Sequence, residues 1–149
     1  MILNAVFDTN LLISGILWKG IPFQLLRWAE KGRLRVYTSL DILAEVYRVL
    51  HYTKFEQYID NQQASPGVFF AKIASLCTII QVDQVVKGVC SDADDEKFLS
   101  CALASKVTVL VSGDKHLLDL GQYRTIRVLT AREFYDGMGV RLSLLSLLE

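Results

Sequence analysis

The sequence predicts an α/β domain in which helices cover both faces of a mostly parallel sheet. Short apolar runs with the composition of buried strands alternate along the chain with longer segments of helical spacing. The 149 residues fit one domain of common size, and a hydrophobic content of 52% can supply a sizeable core. The sequence contains no repeat and no linker that would indicate a second domain.

The amino-terminal part of the chain predicts two strands with one helix between them. The apolar run ILNAVF is predicted to be a central strand, and Gly15 and Gly20 are predicted to break the chain after it. Pro22 suits the first turn of a helix, and Gly32 is placed to end that helix. The segment LRVYTS, at 34–39, is predicted to form the next strand.

The segment SLDILAEVYRVLHY predicts a helix that begins after Thr38 or Ser39 as its N-cap. The apolar residues that form its inward stripe are Ile42, Val46, Val49 and Leu50. Glu45 lies at the edge of this stripe, where a carboxylate is costly unless it is paired or binds a metal. Pairing with Arg48 on the same helix is one alternative, and metal binding is the other.

The carboxyl-terminal half continues the alternation of strands and helices. Pro66 and Gly67 are predicted to begin a helix, and Thr130 and Glu133 have the spacing of a capping box that begins another. A third helix, DADDEKFLSCALASK, has an acidic first turn. The predicted strands of this half lie at 78–82, 107–112 and 125–130.

Charge, cysteine content and hydropathy narrow the class of protein. Sixteen basic and sixteen acidic side chains cancel, so no strong nonspecific field for nucleic acid is predicted. Cys77, Cys90 and Cys101 lack metal-site spacing and are predicted to be reduced thiols in a cytoplasm. The sequence has neither the pattern of a signal peptide nor an apolar stretch of membrane-spanning length, so we expect a soluble cytoplasmic protein without a membrane partner.

An apolar tail at 137–149 follows the domain predicted at 1–136. Its apolar residues are Val140, Leu142, Leu144, Leu145, Leu147 and Leu148. Their spacing predicts a final helix packed on the same domain, and the alternative is a contact for a partner chain.

Acidic residues recur at the predicted carboxyl ends of strands. Asp8 follows the first strand, and Asp114 follows the strand at 107–112. The helix between these positions opens with Asp92, Asp94, Asp95 and Glu96. Ligands of open α/β sheets bind at this end of the strands, where neighbouring strand tips bring such residues together. Each acid alone is more typical of a turn or a helix cap, but their convergence favours a cation with oxygen ligands, Mg²⁺ or Mn²⁺.

Four segments of the chain together resemble the PIN domain family. They are VFDTNLLISGIL, LAEVYRVL, SDADDEKFLSCALASKVTVLVSGDKHLLDL and IRVLTAREF, and they are most similar to the VapC-like branch, the toxin components of toxin–antitoxin systems. The resemblance extends from Ile2 to Phe134. It implies a three-layer α/β/α sandwich that hydrolyses RNA phosphodiesters with Mg²⁺ or Mn²⁺. It also implies an antitoxin protein as partner and a homodimer.

The same resemblance implies a set of catalytic metal ligands. By position in the family motifs they are Asp8, Glu45, Asp95 and Asp114. The third ligand is expected to be Asp95, because Leu99 and Ala102 follow it at the family's spacing. Asp92 is a further candidate ligand, and Ala93 stands where this branch often has proline. The choice within the acidic run therefore stays open.

Polar and aromatic residues near these acids complete the expected site. Those that would orient the acids through hydrogen bonds are Thr9, Asn10 and Ser112. Lys115 adjoins Asp114 and is the best candidate for an RNA contact, although a solvated surface charge is the commoner role. Trp18 and Tyr52 have side chains that can stack on bases, but Trp18 is more typical of a core or an interface.

Other functions of α/β domains fit the motifs less well. A haloacid-dehalogenase-like phosphatase requires D-x-D after the first strand, where this chain has DTN. A receiver-type phosphate-transfer domain would not explain Glu45 or the acidic run, and no G-x-G-x-x-G of a dinucleotide site follows the first strand. The remaining alternative is an inactive PIN-like scaffold or RNA-binding module, against which the four retained acids argue.

Overall fold

The computed structural model describes residues 2–138 and has the α/β architecture that the sequence predicts. Within these residues six strands form one sheet in the order β3-β2-β1-β4-β6-β5. The strands are β1 Leu3–Phe7, β2 Leu34–Thr38, β3 Cys77–Ile79, β4 Val109–Val111, β5 Gln122–Tyr123 and β6 Ile126–Leu129. All neighbouring pairs are parallel except β5 with β6, so the prediction of a mostly parallel sheet is confirmed.

Helices connect the parallel strands and cover the sheet. They are α1 Thr9–Leu17, α2 Ile21–Glu30, α3 Leu40–Leu50, α4 Thr53–Asn61, α5 Pro66–Leu76, α6 Glu96–Ser105 and α7 Lys115–Leu120, and residues 131–138 are also helical. A single 3-10 turn, Ala93–Asp95, leads into α6. Ser39 is the N-cap of α3 and accepts a hydrogen bond from the Ile42 N–H, and Thr130 and Glu133 exchange the two bonds of a capping box, as predicted.

The core lies between the sheet and its helices. β1 is the most deeply buried strand, with Ala5, Val6 and Phe7 fully inaccessible. The predicted inward stripe of α3 is buried as well, from Ile42 at 0% exposed to Val49 at 8%. Burial of these apolar side chains at about 25 cal/mol per Å² is what holds α3 against its neighbouring helices α1 and α5, with Glu45 at the edge of its buried face.

The predicted chain break at Gly15 is wrong, because α1 continues through it to Leu17. A Cβ at Gly15 would come within 2.5 Å of Cδ1 of Leu26 and 2.9 Å of the Pro22 carbonyl oxygen. Glycine therefore serves the close packing of α1 on α2 and does not end the helix. Gly20 does separate the two helices, and Gly32 follows α2 with a φ of +76°.

Four elements were not predicted: α1, which lies where the sequence predicted only chain breaks between the first strand and the helix that begins at Pro22, and three with weak sequence signals. The helix α4 buries only Phe55 and Ile59, α7 has six residues, and β5 has two. The strands predicted at 78–82 and 107–112 are real but shorter, at three residues each.

Two further findings concern the class of protein. The three cysteines are free thiols, and no helix within residues 2–138 has the length and apolar content needed to cross a bilayer. Burial raises the pKa of the Cys77 and Cys101 thiols to about 12, as expected for cysteines that pack as apolar core residues. The predicted tail helix lies almost entirely outside the described residues.

Candidate active site

The carboxyl ends of β1 and β4 lie side by side where the strand order changes direction. From β1 the sheet extends through β2 to β3 on one side and through β4 to β6 on the other. Ligands of open α/β folds bind in the crevice at such a switch point. The Asp8 N–H donates to the Val111 carbonyl at 3.1 Å, and this bond joins the two strand ends directly.

Asp8 is buried at this crevice and held by three hydrogen bonds. Its Oδ1 accepts from the Leu11 N–H at 2.8 Å, which makes Asp8 the N-cap of α1. Its Oδ2 accepts from the Ser112 hydroxyl at 2.5 Å and from the Gly113 N–H at 3.2 Å. Desolvation by burial raises the pKa of Asp8, and the hydrogen bonds oppose that rise.

Asp95 differs from the other acids because part of its carboxylate has no partner. The residue is 9% exposed, and its Oδ2 is buried without a hydrogen bond. Desolvation, followed by the negative charges of Asp114 and Asp92, raises the pKa of Asp95 to about 6. A buried, unpaired carboxylate oxygen beside other acids is unfavourable, and a cation would relieve that energy.

Glu45 reaches the same crevice from α3. Its Oε1 accepts a hydrogen bond from the Thr9 hydroxyl, and its Oε2 lies 2.7 Å from Nζ of Lys97. The predicted pairing with Arg48 is present but longer, at 3.6 Å. Lys97 was missed from the sequence, although it is the first base after the acidic run and its side chain is only 17% exposed.

Asp114 and Asp92 have the capping roles that were the alternative to metal binding. Asp114 is the N-cap of α7, and its Oδ1 accepts from the His116 N–H at 2.8 Å and the Leu117 N–H at 3.2 Å. Asp92 accepts from the Asp94 N–H at 3.0 Å at the start of the 3-10 turn. Capping leaves the second carboxylate oxygen of each residue free of these bonds, so a cap and a ligand can be the same residue.

These acids line one cavity of about 260 Å³. Its lining comprises Asp8, Thr9, Asn10, Glu45, Val49, Tyr52, Lys54, Asp92, Asp94, Asp95, Phe98 and Asp114. All four acids predicted as ligands are therefore on its wall, with Asp92 beside them. Ser112 does not line the cavity but donates a hydrogen bond to Asp8, which does. Lys115 is exposed at the start of α7 and is not part of the lining.

Glu96 is the member of the acidic run that turns away from this cavity. It is buried, and its Oε2 accepts from the Val89 N–H at 2.6 Å and the Cys90 N–H at 3.1 Å. These backbone hydrogen bonds lower the pKa of Glu96. Glu96 thus fixes the loop before α6, which leaves Asp92, Asp94 and Asp95 as the candidates for the third acid.

The carboxylate oxygens of this cavity suit a divalent cation, but they are not arranged as a complete set of metal ligands in the part of the chain that the structure describes. Within residues 2–138, no three acidic, histidine or cysteine side chains are positioned as a complete ligand group. The oxygen donors and the unpaired Oδ2 of Asp95 fit Mg²⁺ or Mn²⁺. A complete ligand group therefore requires side-chain positions that differ from those in the structure.

The sequence model of the PIN domain family matches residues 4–116. This chain belongs to the PIN domain family. The resemblance seen in the motifs is therefore confirmed, and PIN domains are generally nucleases. An uncharacterized protein of Methanocaldococcus jannaschii is 32% identical over 119 residues, which are 79% of this chain and 75% of that relative.

A solved structure confirms the PIN fold. The crystal structure of VapBC2 from Rickettsia felis, bound to a DNA fragment from their promoter, contains a chain that superposes on this one with a TM-score of 0.58. The match covers 86% of this chain and 98% of that chain, at 15% sequence identity. At that identity the likeness establishes the fold, which agrees with the sandwich predicted from the sequence.

Proposed function

We propose that this PIN domain is a metal-dependent endoribonuclease that hydrolyses RNA phosphodiesters with Mg²⁺ or Mn²⁺. The observation that carries the proposal is the convergence of acids from four separate segments on one cavity at the switch point of the sheet. The proposed ligands are Asp8, Glu45, Asp95 and Asp114, with Asp92 as a further candidate. Repulsion among these acids and the buried, unpaired oxygen of Asp95 are both reasons for a cation at this position.

Each acid has a role that its contacts support. Asp8 is the most rigid of them, because three donors fix both of its oxygens. Glu45 is oriented by the Thr9 hydroxyl, and its other oxygen exchanges Lys97 for the cation. Bound Mg²⁺ or Mn²⁺ would supply an activated water for in-line attack and charge stabilisation at the phosphoryl group.

We further propose that the domain is the toxin of a toxin–antitoxin pair and acts in the cytoplasm as a homodimer. The support is the resemblance of its motifs to the VapC-like branch, together with its fold likeness to a chain of VapBC2. An antitoxin protein would then be its partner. Co-expression with the neighbouring reading frame and copurification would test this part separately from the chemistry.

Cleavage of single-stranded RNA tests the nuclease proposal. Purified protein is incubated with RNA in Mg²⁺, in Mn²⁺ and in EDTA, beside Asp8→Asn and Asp95→Asn variants. Asp119→Asn is the matched control, because Asp119 is an exposed acid on α7 outside the cavity. The proposal expects metal-dependent cleavage that the first two variants lose and the control keeps. Cleavage that persists in EDTA or in both cavity variants would contradict it.

An inactive scaffold is the second candidate, and the Lys97–Glu45 pair is the observation that favours it. A lysine ammonium 2.7 Å from Glu45 already neutralises one of the proposed ligands without a metal. If the scaffold account is correct, the protein neither cleaves RNA nor binds Mn²⁺ at this cavity. If the nuclease account is correct, Mn²⁺ binds and Asp8→Asn weakens its binding.

A further inference from the structure

A second cavity adjoins the acidic one and has a different lining. It has a volume of about 400 Å³. Its lining consists of Asn10, Ser14, Trp18, Lys54, Phe55 and Tyr58, which we call the aromatic pocket. Asn10 and Lys54 line both cavities, so the aromatic pocket is continuous with the site of the proposed chemistry.

Three aromatic rings form the wall of the aromatic pocket. The centroid of the Trp18 ring lies 5.1 Å from that of Tyr58, nearly edge to face, and 5.9 Å from that of Phe55. Phe55 is buried, whereas Trp18 is 38% exposed and Tyr58 is 43% exposed. Trp18 is therefore not a core residue, and the alternative that it is an interface residue stays a prediction. Trp18 thus combines contacts to two aromatic neighbours with accessible surface of its own, which suits stacking.

The polar groups of the aromatic pocket stand at its junction with the acids. Nζ of Lys54 lies 5.0 Å from the centroid of the Phe55 ring. Lys54 lines both cavities, so its positive charge lies next to the acids as well as to the aromatic rings. Asn10 presents an amide at the same junction. A lysine ammonium group between an acidic site and accessible aromatic rings matches single-stranded RNA, in which the phosphate and the base of a nucleotide lie a few ångströms apart.

We propose that the aromatic pocket binds one nucleobase of the single-stranded RNA substrate, next to the phosphodiester held at the acids. The inference rests on the proposed ribonuclease function. Trp18 stacks on the base, and Lys54 faces the phosphate that links this nucleotide to the reacting one. A peptide segment of a partner protein is the competing occupant. That occupant would not explain why the aromatic pocket is continuous with the acidic cavity or why Lys54 lies between them.

Binding of labelled single-stranded RNA in EDTA tests the inference without cleavage. The probes are octa-adenylate and octa-uridylate, followed by fluorescence anisotropy. Trp18→Ala is expected to weaken binding about 5- to 100-fold, as found for loss of a base–aromatic stack. Trp18→Phe retains a stacking face and is expected to keep most of the affinity. Tyr47→Ala is the matched control, because Tyr47 is 49% exposed and lines neither cavity.

An abasic scan of the better probe separates stacking from a general loss of affinity. One abasic nucleotide should weaken binding to the wild-type protein but not weaken it further in Trp18→Ala, because both changes remove the same contact. Circular dichroism establishes that each variant is folded, and Tyr58→Ala provides a second test of the aromatic pocket. Equal affinity of wild type and Trp18→Ala for RNA overturns the inference, and so does an additive effect at every abasic position.

The inference and the proposed function fail in different ways. If the wild-type protein cleaves RNA but Trp18→Ala binds RNA as tightly as wild type, only the inference is wrong. If the wild-type protein neither cleaves nor binds these RNAs, the proposed function is wrong and the inference falls with it. If Trp18→Ala loses a copurifying protein partner while it keeps RNA affinity, the aromatic pocket is a protein-docking site and the inference is overturned.

Discussion

The hydroxyl of Ser112 donates a hydrogen bond to Oδ2 of Asp8 at 2.5 Å, across 104 positions of sequence. The same hydroxyl oxygen accepts from the Asp114 N–H at 2.9 Å. One small side chain at the end of β4 therefore holds two of the proposed ligands in a fixed relation. This follows from the parallel pairing of β1 with β4, which places their carboxyl ends at the same edge.

The first prediction concerns Ser112 itself. Ser112→Ala removes a donor to Asp8 and the acceptor of the Asp114 N–H, and it should cost about 1–3 kcal/mol of unfolding free energy. It should also weaken Mn²⁺ binding, because Asp8 loses one of its three fixed contacts. Ser112→Thr keeps the hydroxyl and is the control. Urea denaturation and Mn²⁺ titration check both effects, and equal behaviour of the two variants would contradict the prediction.

Asp95 gives a prediction on pH and stability without metal. The pKa of Asp95 is about 6 in the folded protein and 3.8 ordinarily, so the folded state binds this proton more tightly than the unfolded state. Its charge therefore destabilises the fold fully above about pH 6, and the penalty disappears as pH falls toward 3.8. Asp95→Asn should raise the Tm of metal-free protein above pH 6, with no gain near pH 3.8. A lower Tm for the variant across the whole range would contradict this, and Asp119→Asn controls for net charge.

Lys97 donates a hydrogen bond to Oε2 of Glu45, the oxygen that we propose for the cation. Lys97→Gln should lower the metal-free stability by about 1–3 kcal/mol, because Glu45 loses a charged hydrogen-bond donor. The same change should enlarge the Tm increase caused by Mn²⁺, since the cation no longer competes with the ammonium group. Lys115→Gln, at an exposed base outside the cavity, is the control. A smaller Mn²⁺ effect in Lys97→Gln would show that Lys97 assists binding.

The packing of α1 on α2 predicts opposite effects for two glycine substitutions. Gly15→Ala places a methyl group 2.5 Å from Leu26 and 2.9 Å from a backbone oxygen, so overpacking should cost about 1–3 kcal/mol. Gly67→Ala, in the first turn of α5, meets only Ser65 Oγ at 3.9 Å and should be neutral or stabilising by up to about 1 kcal/mol. Chemical denaturation of both variants checks the difference. Equal stability of the two would mean that α1 and α2 adjust freely.

Glu96 should act on the loop that precedes α6. Its pKa is lowered by two backbone hydrogen bonds, so its stabilising effect is present above its ordinary value of 4.5 and is lost as pH falls through the lower folded-state value. Glu96→Gln should speed amide exchange at Val89 and Cys90, the two donors, at neutral pH. Hydrogen exchange resolved by NMR measures this. Unchanged protection at both amides would show that other contacts order the loop.

Much of the fold was predictable because its strongest signals are local. A few consecutive residues are enough to identify a buried strand, the amphipathic helix α3 or the capping box at Thr130. The break expected at Gly15 was wrong because the reason for that glycine lies in a different helix, at Leu26. Helix α4 was missed because two buried residues, Phe55 and Ile59, give little periodicity.

The candidate site was predictable in its acids but not in its other charges. Positions after parallel strands bring Asp8 and Asp114 together whatever their neighbours are. The contact between Lys97 and Glu45 joins residues 52 positions apart, and nothing in either local sequence specifies it. Glu96 directly follows Asp95 in the acidic run, yet the turn into α6 gives the two side chains different surroundings. Glu96 accepts from the Val89 N–H, whereas Oδ2 of Asp95 is buried without a hydrogen bond.

The most direct test of the central claim is calorimetric titration of the purified, metal-free protein with Mn²⁺. The account predicts saturable binding that Asp8→Asn and Asp95→Asn each weaken at least about tenfold, a change of about 1.4 kcal/mol. Asp119→Asn should bind as the wild type does. Absence of Mn²⁺ binding by the wild-type protein, or binding by both cavity variants as tight as that of the wild type, would contradict the claim that these acids form a metal site.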